Sequence, residues 1–172
     1  MAEEVLATVK ASVPRRWMGV AMLAGVGIIV IYVAFRSPPQ LVWQVFLIAT
    51  GVLALWMAEK MRRATEHSIE LTRDELRSTE GITLVRVEDV AAVERGAFAF
   101  KPSNGFMIKT HSPGLRMWRP GLWWRLGRRV GVGGVTPGAQ SKAMSEILAA
   151  ILAQRAGLDQ GWESDNDGEG RN

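Results

Sequence analysis

The first third of the chain carries WMGVAMLAGVGIIVIYVAF (residues 17–35) and LVWQVFLIATGVLALWMA (residues 41–58), two apolar stretches without a charged side chain. At about 1.5 Å of rise per residue, helices of these lengths reach roughly 28 and 27 Å, close to the ~30 Å hydrocarbon thickness of a bilayer. The connection RSPPQ, residues 36–40, contains consecutive prolines, which cannot continue a helix. The pattern therefore predicts a two-helix transmembrane hairpin over residues 17–59.

The charges that flank the two stretches predict their orientation. Three basic residues stand before the first stretch and three after the second: Lys10, Arg15, Arg16, Lys60, Arg62 and Arg63. The connecting loop has only Arg36. Because basic residues near span ends stay on the cytoplasmic side, both termini are predicted to be cytoplasmic. Two alternatives fit less well: a signal peptide has a shorter apolar core and a cleavage site, and twin-arginine export depends on Arg15-Arg16 alone.

The composition limits the kinds of function. The 172 residues include no cysteine and only two histidines, His67 and His111, so disulfides, thiolate metal sites and a histidine metal motif are not predicted. The last fifteen residues hold five acidic residues against one arginine, and such a polar end is expected to be disordered. The predicted divisions are a cytoplasmic segment at 1–16, the hairpin at 17–59, one soluble domain at 66–157 and an acidic tail at 158–172.

Short stretches of alternating apolar residues follow the hairpin and predict β-strands. The alternating pairs are Ile69 with Leu71, Ile82 with Leu84, and Phe98 with Phe100. Turns are predicted between them, including Asn104-Gly105, a pair that tolerates the positive φ of a tight hairpin. At least five strands are predicted between residues 67 and 110, and another at 129–132.

A single helix is predicted to follow the strands. Its apolar stripe fits the i, i+3, i+4, i+7 and i+8 positions with Met144, Ile147, Leu148, Ile151 and Leu152. Thr136 suits the N-cap, Pro137 suits the first helical position, and Gly157 suits the C-terminal end. The apolar face of this helix is expected to pack on the strands.

The order of several antiparallel strands and one amphipathic helix, with the run WWRLGRRVGVGG at residues 123–134, resembles the pleckstrin-homology-like domains of small bacterial membrane proteins. The resemblance covers residues 66–157 and implies a small antiparallel β-barrel closed by its C-terminal helix, with no catalytic residues to transfer. The expected fold is an α+β membrane protein of the bacterial inner (plasma) membrane, with a transmembrane hairpin before the barrel. The stretch at 112–126 is longer than a simple strand connection, which leaves the local topology open.

Arginines and tryptophans concentrate between residues 116 and 129, where five arginines stand without an intervening carboxylate. Indole rings favour the headgroup zone of a bilayer, and arginines pair with phosphates. The candidate contacts with lipid or with a partner protein are Arg116, Arg119, Trp123, Trp124, Arg125, Arg128 and Arg129. The alternative is that Trp118, Trp123 and Trp124 are core residues and that the arginines form a solvated rim. Nucleic acid is not predicted as a partner, because the spans already place the cluster near a surface with the same chemistry.

Small residues recur at four-residue intervals in the apolar stretches, at Ala21 and Gly25 and at Thr50, Ala54 and Ala58. Because small residues let helix backbones approach closely, these positions are predicted to pack within the hairpin, or against another membrane protein or a second copy. The glycines at 131, 133 and 134 are interpreted as sites of a strand bend or close helix packing, since the Gly-Lys-Ser/Thr of phosphate-binding loops is absent.

The expected function is that of a non-enzymatic membrane anchor, which presents its domain to lipid headgroups or to a membrane-protein partner in an accessory or assembly role. No catalytic residue, metal or cofactor is predicted, because no serine, histidine and carboxylate set is arranged for acid–base chemistry. The alternative is a small membrane enzyme or a transporter accessory subunit. An enzyme would need a pocket with converging titratable groups, and a transporter would need polar residues at mid-membrane.

Overall fold

The computed structural model describes residues 4–37, 40–94 and 102–168, which form an α+β structure. Its elements, in chain order, are β1 (Ala7–Lys10), α1 (Val13–Arg36), α2 (Leu41–Ala64), β2 (Ser68–Leu71), β3 (Glu75–Ser78), β4 (Ile82–Arg86), a 3-10 turn (Val87–Asp89), β5 (Val90–Glu94), β6 (Phe106–Arg119), β7 (Trp123–Val132) and α3 (Gly138–Gly168). Two apolar helices, antiparallel strands and a C-terminal helix therefore confirm the predicted class and its order of elements.

The apolar stretches form two helices of 24 residues each, both long and apolar enough to cross a membrane by length and composition. Helix α1 begins before its apolar stretch because Pro14 fits the first turn, where a missing N–H is not needed. Helix α2 extends to Ala64, and the Thr65 hydroxyl donates to the Met61 carbonyl at that end. Only 17% of the most apolar part of α1 and 11% of the most apolar part of α2 is buried, so most of their apolar side chains face outward.

The two helices pack antiparallel through positions spaced seven residues apart. Val20, Gly27 and Ala34 are buried on α1, and they face Ala58, Gly51 and Gln44 on α2. A Cβ placed on either Gly27 or Gly51 would lie 2.9 Å from the carbonyl oxygen of the other glycine. The Gln44 side-chain amide donates to the Ala34 carbonyl at 3.1 Å. Since seven residues complete almost two helical turns, this seam stays aligned along the pair.

The seam differs from the four-residue pattern predicted from the sequence. Ala21 and Thr50 are exposed, and a Cβ on Gly25 would meet no atom within 4 Å. Ala54 is half-buried and Ala58 is buried, so only part of the predicted set lies at the contact. The reason is geometric, because a step of four residues overshoots one helical turn by about 40° and moves away from the partner helix.

A strand before the helical hairpin pairs with a strand after it. Strand β1 lies antiparallel to β2 with Val9 opposite Ile69, and both of these side chains are fully buried. The sheet continues with β3 and β4 in the order β1-β2-β3-β4. The segment at 1–16 is predicted as separate from the domain, and the structure differs by placing one of its strands in the domain's sheet. The physical reason is that Val9 completes the core.

A second sheet contains β5, β6 and β7 in that order. The stretch at 112–126, expected to be a long connection, is the greater part of the β6–β7 hairpin. Gly121 adopts a φ of +83° at its tip, a conformation that glycine reaches without strain. The pairing register shifts on both sides of Gly114, which breaks the two-residue alternation that would mark a strand in the sequence. The predicted turn before β6 is present, with Asn104 at a φ of 54°.

The described strands form two separate sheets, so the closed barrel implied by the family resemblance is not present in them. Where β4 approaches β7, the Leu84 carbonyl accepts a hydrogen bond from Nη1 of Arg125 at 2.8 Å. In a single continuous sheet, a backbone N–H of the neighbouring strand would donate to this carbonyl; here the Arg125 side chain donates instead. The predicted alternation of Phe98 with Phe100 lies outside the described residues.

Helix α3 covers the core that the two sheets enclose. Met144 and Leu148 are fully buried, and the other members of the predicted stripe pack against them, which confirms its apolar face. The helix begins at Gly138, one residue later than predicted, and the Thr136 hydroxyl lies 3.2 Å from that of Ser141. It does not end at Gly157 but continues to Gly168, into the tail expected to be disordered, since an exposed glycine weakens a helix by only about 1 kcal/mol.

We expect Gly27→Val to lower the stability of the helical pair, because a side chain there would collide with the Gly51 carbonyl and with Leu55. Overpacking of this kind costs about 1–3 kcal/mol. The measurement is thermal unfolding of the full chain in detergent micelles, followed by circular dichroism. Gly25→Val is the matched control, since that position faces open space. Equal melting temperatures for the two variants would contradict the packing of α1 against α2 through Gly27.

Candidate functional site

The Trp- and Arg-rich cluster lies on the β6–β7 hairpin, and the tip of this hairpin packs against the base of the two long helices. A Cβ on Gly121 would lie 3.2 Å from side-chain carbons of both Met61 and Thr65. The segment after β7 is held at the same place, because the Ser12 N–H donates to the Val135 carbonyl at 2.8 Å. The cluster is therefore fixed at the helix ends where the basic flanking residues lie.

The two tryptophans of β7 have different surroundings. Trp123 is 1% exposed and belongs to the core, so it is not available to a lipid or to a partner protein. Trp124 is half-buried opposite Trp118, and its indole covers Gly131, where any Cβ would collide with the ring. Core packing, the alternative interpretation, therefore applies to Trp123, whereas Trp118 is exposed.

Arg119 forms an ion pair with Glu80 through two hydrogen bonds. Its Nε donates to Oε2 of Glu80 and its Nη2 donates to Oε1, both at 2.8 Å. Only 28% and 30% of the two side chains is exposed, so water screens the pair less than it would at the open surface. The hydrogen bonds from Arg119 hold the pKa of Glu80 below its ordinary value, and Glu80 in turn raises the pKa of Arg119. The pair joins the β3–β4 turn to the β6–β7 hairpin.

Arg125 is also part of the domain's structure. Besides its bond to the Leu84 carbonyl, its guanidinium lies over Gly114, where a Cβ would collide with it. Its Nε is buried and has no hydrogen-bond partner in the described part of the chain. Arg125 therefore joins the two sheets.

The remaining predicted arginines are exposed. Arg116, Arg128 and Arg129 form no ion pair with any described residue. Large apolar side chains are exposed on the same hairpin: Leu115, Trp118 and Leu126. Exposed cations and exposed apolar groups are the chemical groups that the headgroup layer of a bilayer attracts. We call these six residues the outer hairpin face.

A lysine connects this face to helix α2. The Lys60 ammonium lies 4.6 Å from the ring centre of Trp56 and 5.4 Å from that of Trp118. Both distances are within the roughly 6 Å range of a cation–π contact. Trp56 and Trp118 are each about half exposed, at 53% and 47%. The three side chains therefore form a partly open stack between the helix and the hairpin.

Other basic residues at the helix ends are paired with carboxylates. Glu66 accepts from Arg16 at 3.2 Å and from Arg62 at 2.6 Å. Glu59 accepts from Arg62 and from Arg63 within one turn of α2. These pairs neutralise much of the positive charge that the sequence places beside the apolar stretches.

Sequence reasoning did not select Trp56 and Lys60 as site residues, although a local signal was present. A tryptophan and a lysine four residues apart lie on the same helix face, and both favour the interface of a membrane. The participation of Trp118 depends on tertiary contact and leaves no such signal. Within the described ranges, no group of three or more His, Cys, Asp or Glu residues is placed to hold a metal ion.

The sequence matches no protein-family model, and it matches neither a curated protein nor a solved structure. The resemblance to pleckstrin-homology-like domains therefore stays a prediction.

We expect Glu80→Gln to destabilise the full chain at neutral pH, because it removes the charge that Arg119 binds. A partly exposed ion pair of this kind contributes about 1 kcal/mol or less. Because the pKa of folded Glu80 is lowered from 4.5, the stabilisation is complete above that pH and is lost as the pH falls through the lower, folded-state pKa.

The measurement is the melting temperature of both proteins in a nonionic detergent as a function of pH. The difference between them should shrink below pH 4.5, the ordinary value for this carboxyl. Glu88→Gln is the control, since that exposed carboxylate lies on the 3-10 turn. A difference that stays constant with pH would show that Glu80 acts through packing instead of charge.

Proposed function

We propose that this protein is a non-enzymatic anchor of the bacterial inner membrane, which holds its two-sheet domain against the cytoplasmic leaflet and presents it to lipid headgroups in an accessory or assembly role. The two apolar helices supply the anchor, and the outer hairpin face supplies the headgroup contact. A membrane-protein partner at that face is the outcome that the experiments below distinguish from lipid.

The exposed surface of the helices supports the membrane location. Apolar side chains cover their outer surfaces, as in Ile29 and Val52, which are 63% and 54% exposed. In water this surface would be unfavourable, because burial of each square ångström of apolar area contributes about 25 cal/mol of stabilising free energy. A contiguous apolar surface on a helical pair of this length is typical of contact with lipid tails.

The pairing of β1 with β2 supports a common side for the two helix ends. The first strand precedes α1 and the second follows α2, and residues of the two strands are direct neighbours in one sheet. A helical pair that crosses a bilayer therefore returns the chain to the side from which it entered. With the excess of basic residues at these ends, that side is the cytoplasm.

The Trp56–Lys60–Trp118 stack is the observation that carries the proposal. It places an exposed indole of the domain beside an indole and an ammonium on the last turns of the candidate span. Indole and ammonium groups together are favoured at the level of lipid headgroups. The domain therefore touches the same layer as the helix end and does not hang free below it.

Reporter fusions test the orientation. Alkaline phosphatase fused to either terminus should be inactive, and a fluorescent protein fused there should be bright, because the basic flanks keep both ends in the cytoplasm. A phosphatase inserted in the loop between α1 and α2 should be active. Phosphatase activity at either terminus would contradict the proposed topology.

A cysteine probe tests the headgroup contact, since the chain has no native cysteine. A polarity-sensitive fluorophore on Leu126→Cys should shift to the blue when the full chain is reconstituted in anionic liposomes, and high salt should reduce the shift because exposed charges are screened. The triple variant Arg116→Gln, Arg128→Gln, Arg129→Gln should lose the shift. The same dye on Gln154→Cys, an exposed position of α3, is the control.

Two results would contradict the lipid contact. A dye at position 126 that stays in a polar environment in anionic liposomes at low salt would assign the outer hairpin face to a protein partner. An equal shift in neutral liposomes that salt does not change would exclude a contact driven by the arginines.

A further inference from the structure

We propose that a cleft at the base of α2 binds the phosphate of an anionic phospholipid headgroup; the proposal rests on the membrane location inferred above. The cleft has a volume of about 360 Å³, within the roughly 300–1,000 Å³ usual for small-molecule sites. Its charged and polar walls are Lys60, Arg63, Glu66, His67, Glu80 and Arg119. We call it the juxtamembrane cleft.

Two cations of the juxtamembrane cleft have donors to spare. Lys60 forms no ion pair with a described carboxylate, and its ammonium lies near the indole rings of Trp56 and Trp118. Arg63 donates to Glu59 through Nε, and its two terminal nitrogens have no partner within the described ranges. An ammonium and the free end of a guanidinium on one wall are the groups that bind a phosphate oxygen through charge-assisted hydrogen bonds.

The carboxylates of the cleft are already paired with arginines. Glu66 accepts from two guanidinium groups, those of Arg16 and Arg62. Glu80 uses both of its oxygens for Arg119. The ammonium group of a zwitterionic lipid would need a carboxylate whose charge is not already balanced, and the charges of Glu66 and Glu80 are both balanced by arginines. The charge pattern therefore favours an anionic headgroup such as phosphatidylglycerol over phosphatidylethanolamine.

The rim of the cleft favours a ligand with an apolar tail over free phosphate. Trp56 lies four residues before Lys60 on α2, about 6 Å away along the helix axis and within the apolar stretch at 41–58. Trp118 flanks the same ammonium from the hairpin. Two half-exposed indoles on that side form an apolar wall where the glycerol and acyl chains of a lipid would leave the cleft.

Native mass spectrometry of the full chain in detergent tests this site without requiring a bilayer. Phosphatidylglycerol and phosphatidylethanolamine with the same acyl chains are added at equal concentrations. Loss of two charge-assisted hydrogen bonds weakens binding by about tenfold or more, so the double variant Lys60→Gln, Arg63→Gln should retain that much less phosphatidylglycerol. The variant Arg86→Gln, Lys142→Gln removes the same charge from exposed positions elsewhere and should bind like the unmodified chain.

Melting curves in the same detergent establish that each variant is folded, and the single variant Lys60→Arg, which keeps the charge, should retain binding. Equal retention of the two lipids, or unchanged retention by the double variant, would overturn the proposal. Displacement of phosphatidylglycerol by millimolar inorganic phosphate would assign the cleft to free phosphate and also overturn it. Because no bilayer is present, a failure here is distinct from failure of the outer hairpin face to contact a membrane.

Discussion

The pairing of β1 with β2 is the interaction on which the arrangement of the chain depends. It joins the strand that leads into α1 to the strand that leaves α2, from Ala7 opposite Leu71 to Lys10 opposite Ser68. Backbone hydrogen bonds between β1 and β2 therefore hold together the two helix ends that are not joined by the loop. The segment before α1 also contributes Val9 to the core. Because of this pairing, the ends of the two helices are attached to the domain's sheet. The Trp56–Lys60–Trp118 stack and the juxtamembrane cleft lie at this attachment.

The elements with strong local patterns could be predicted from the sequence. The apolar stretches became α1 and α2, and the stripe through Met144 and Leu148 became the buried face of α3. β1 could not be predicted, because a four-residue strand has almost no periodicity and its partner lies about sixty residues further along the chain. The β6–β7 hairpin was hidden by its register shifts. The described strands form two sheets instead of the expected closed barrel, and where β4 approaches β7 the side chain of Arg125 bonds to the Leu84 carbonyl.

The composition of the Trp- and Arg-rich cluster left two interpretations open, contact with lipid or a partner and core packing of its tryptophans, and the structure divides the cluster between them. Arg119 and Arg125 bind partners that are 39 and 41 residues away in the chain, so no local pattern could separate them from Arg128 and Arg129. The contact between α1 and α2 could not be predicted from a local pattern either. Whether residues spaced by four or by seven lie at that contact depends on how the second helix is aligned with the first. Residue types predicted the chemistry available near the helix ends, and tertiary contacts determined which groups remain free.

The position of β1 also imposes an order of assembly. The ribosome makes β1 before both helices and β2 after them, so the first sheet cannot be completed until both helices have been made. Pairing of the helices replaces a long flexible loop by a short one, which reduces the entropy lost when β1 reaches β2. A chain whose helices failed to associate would leave the edge of β2 open, and open edges recruit strands from other molecules. Association of the helices thus favours completion of the first sheet.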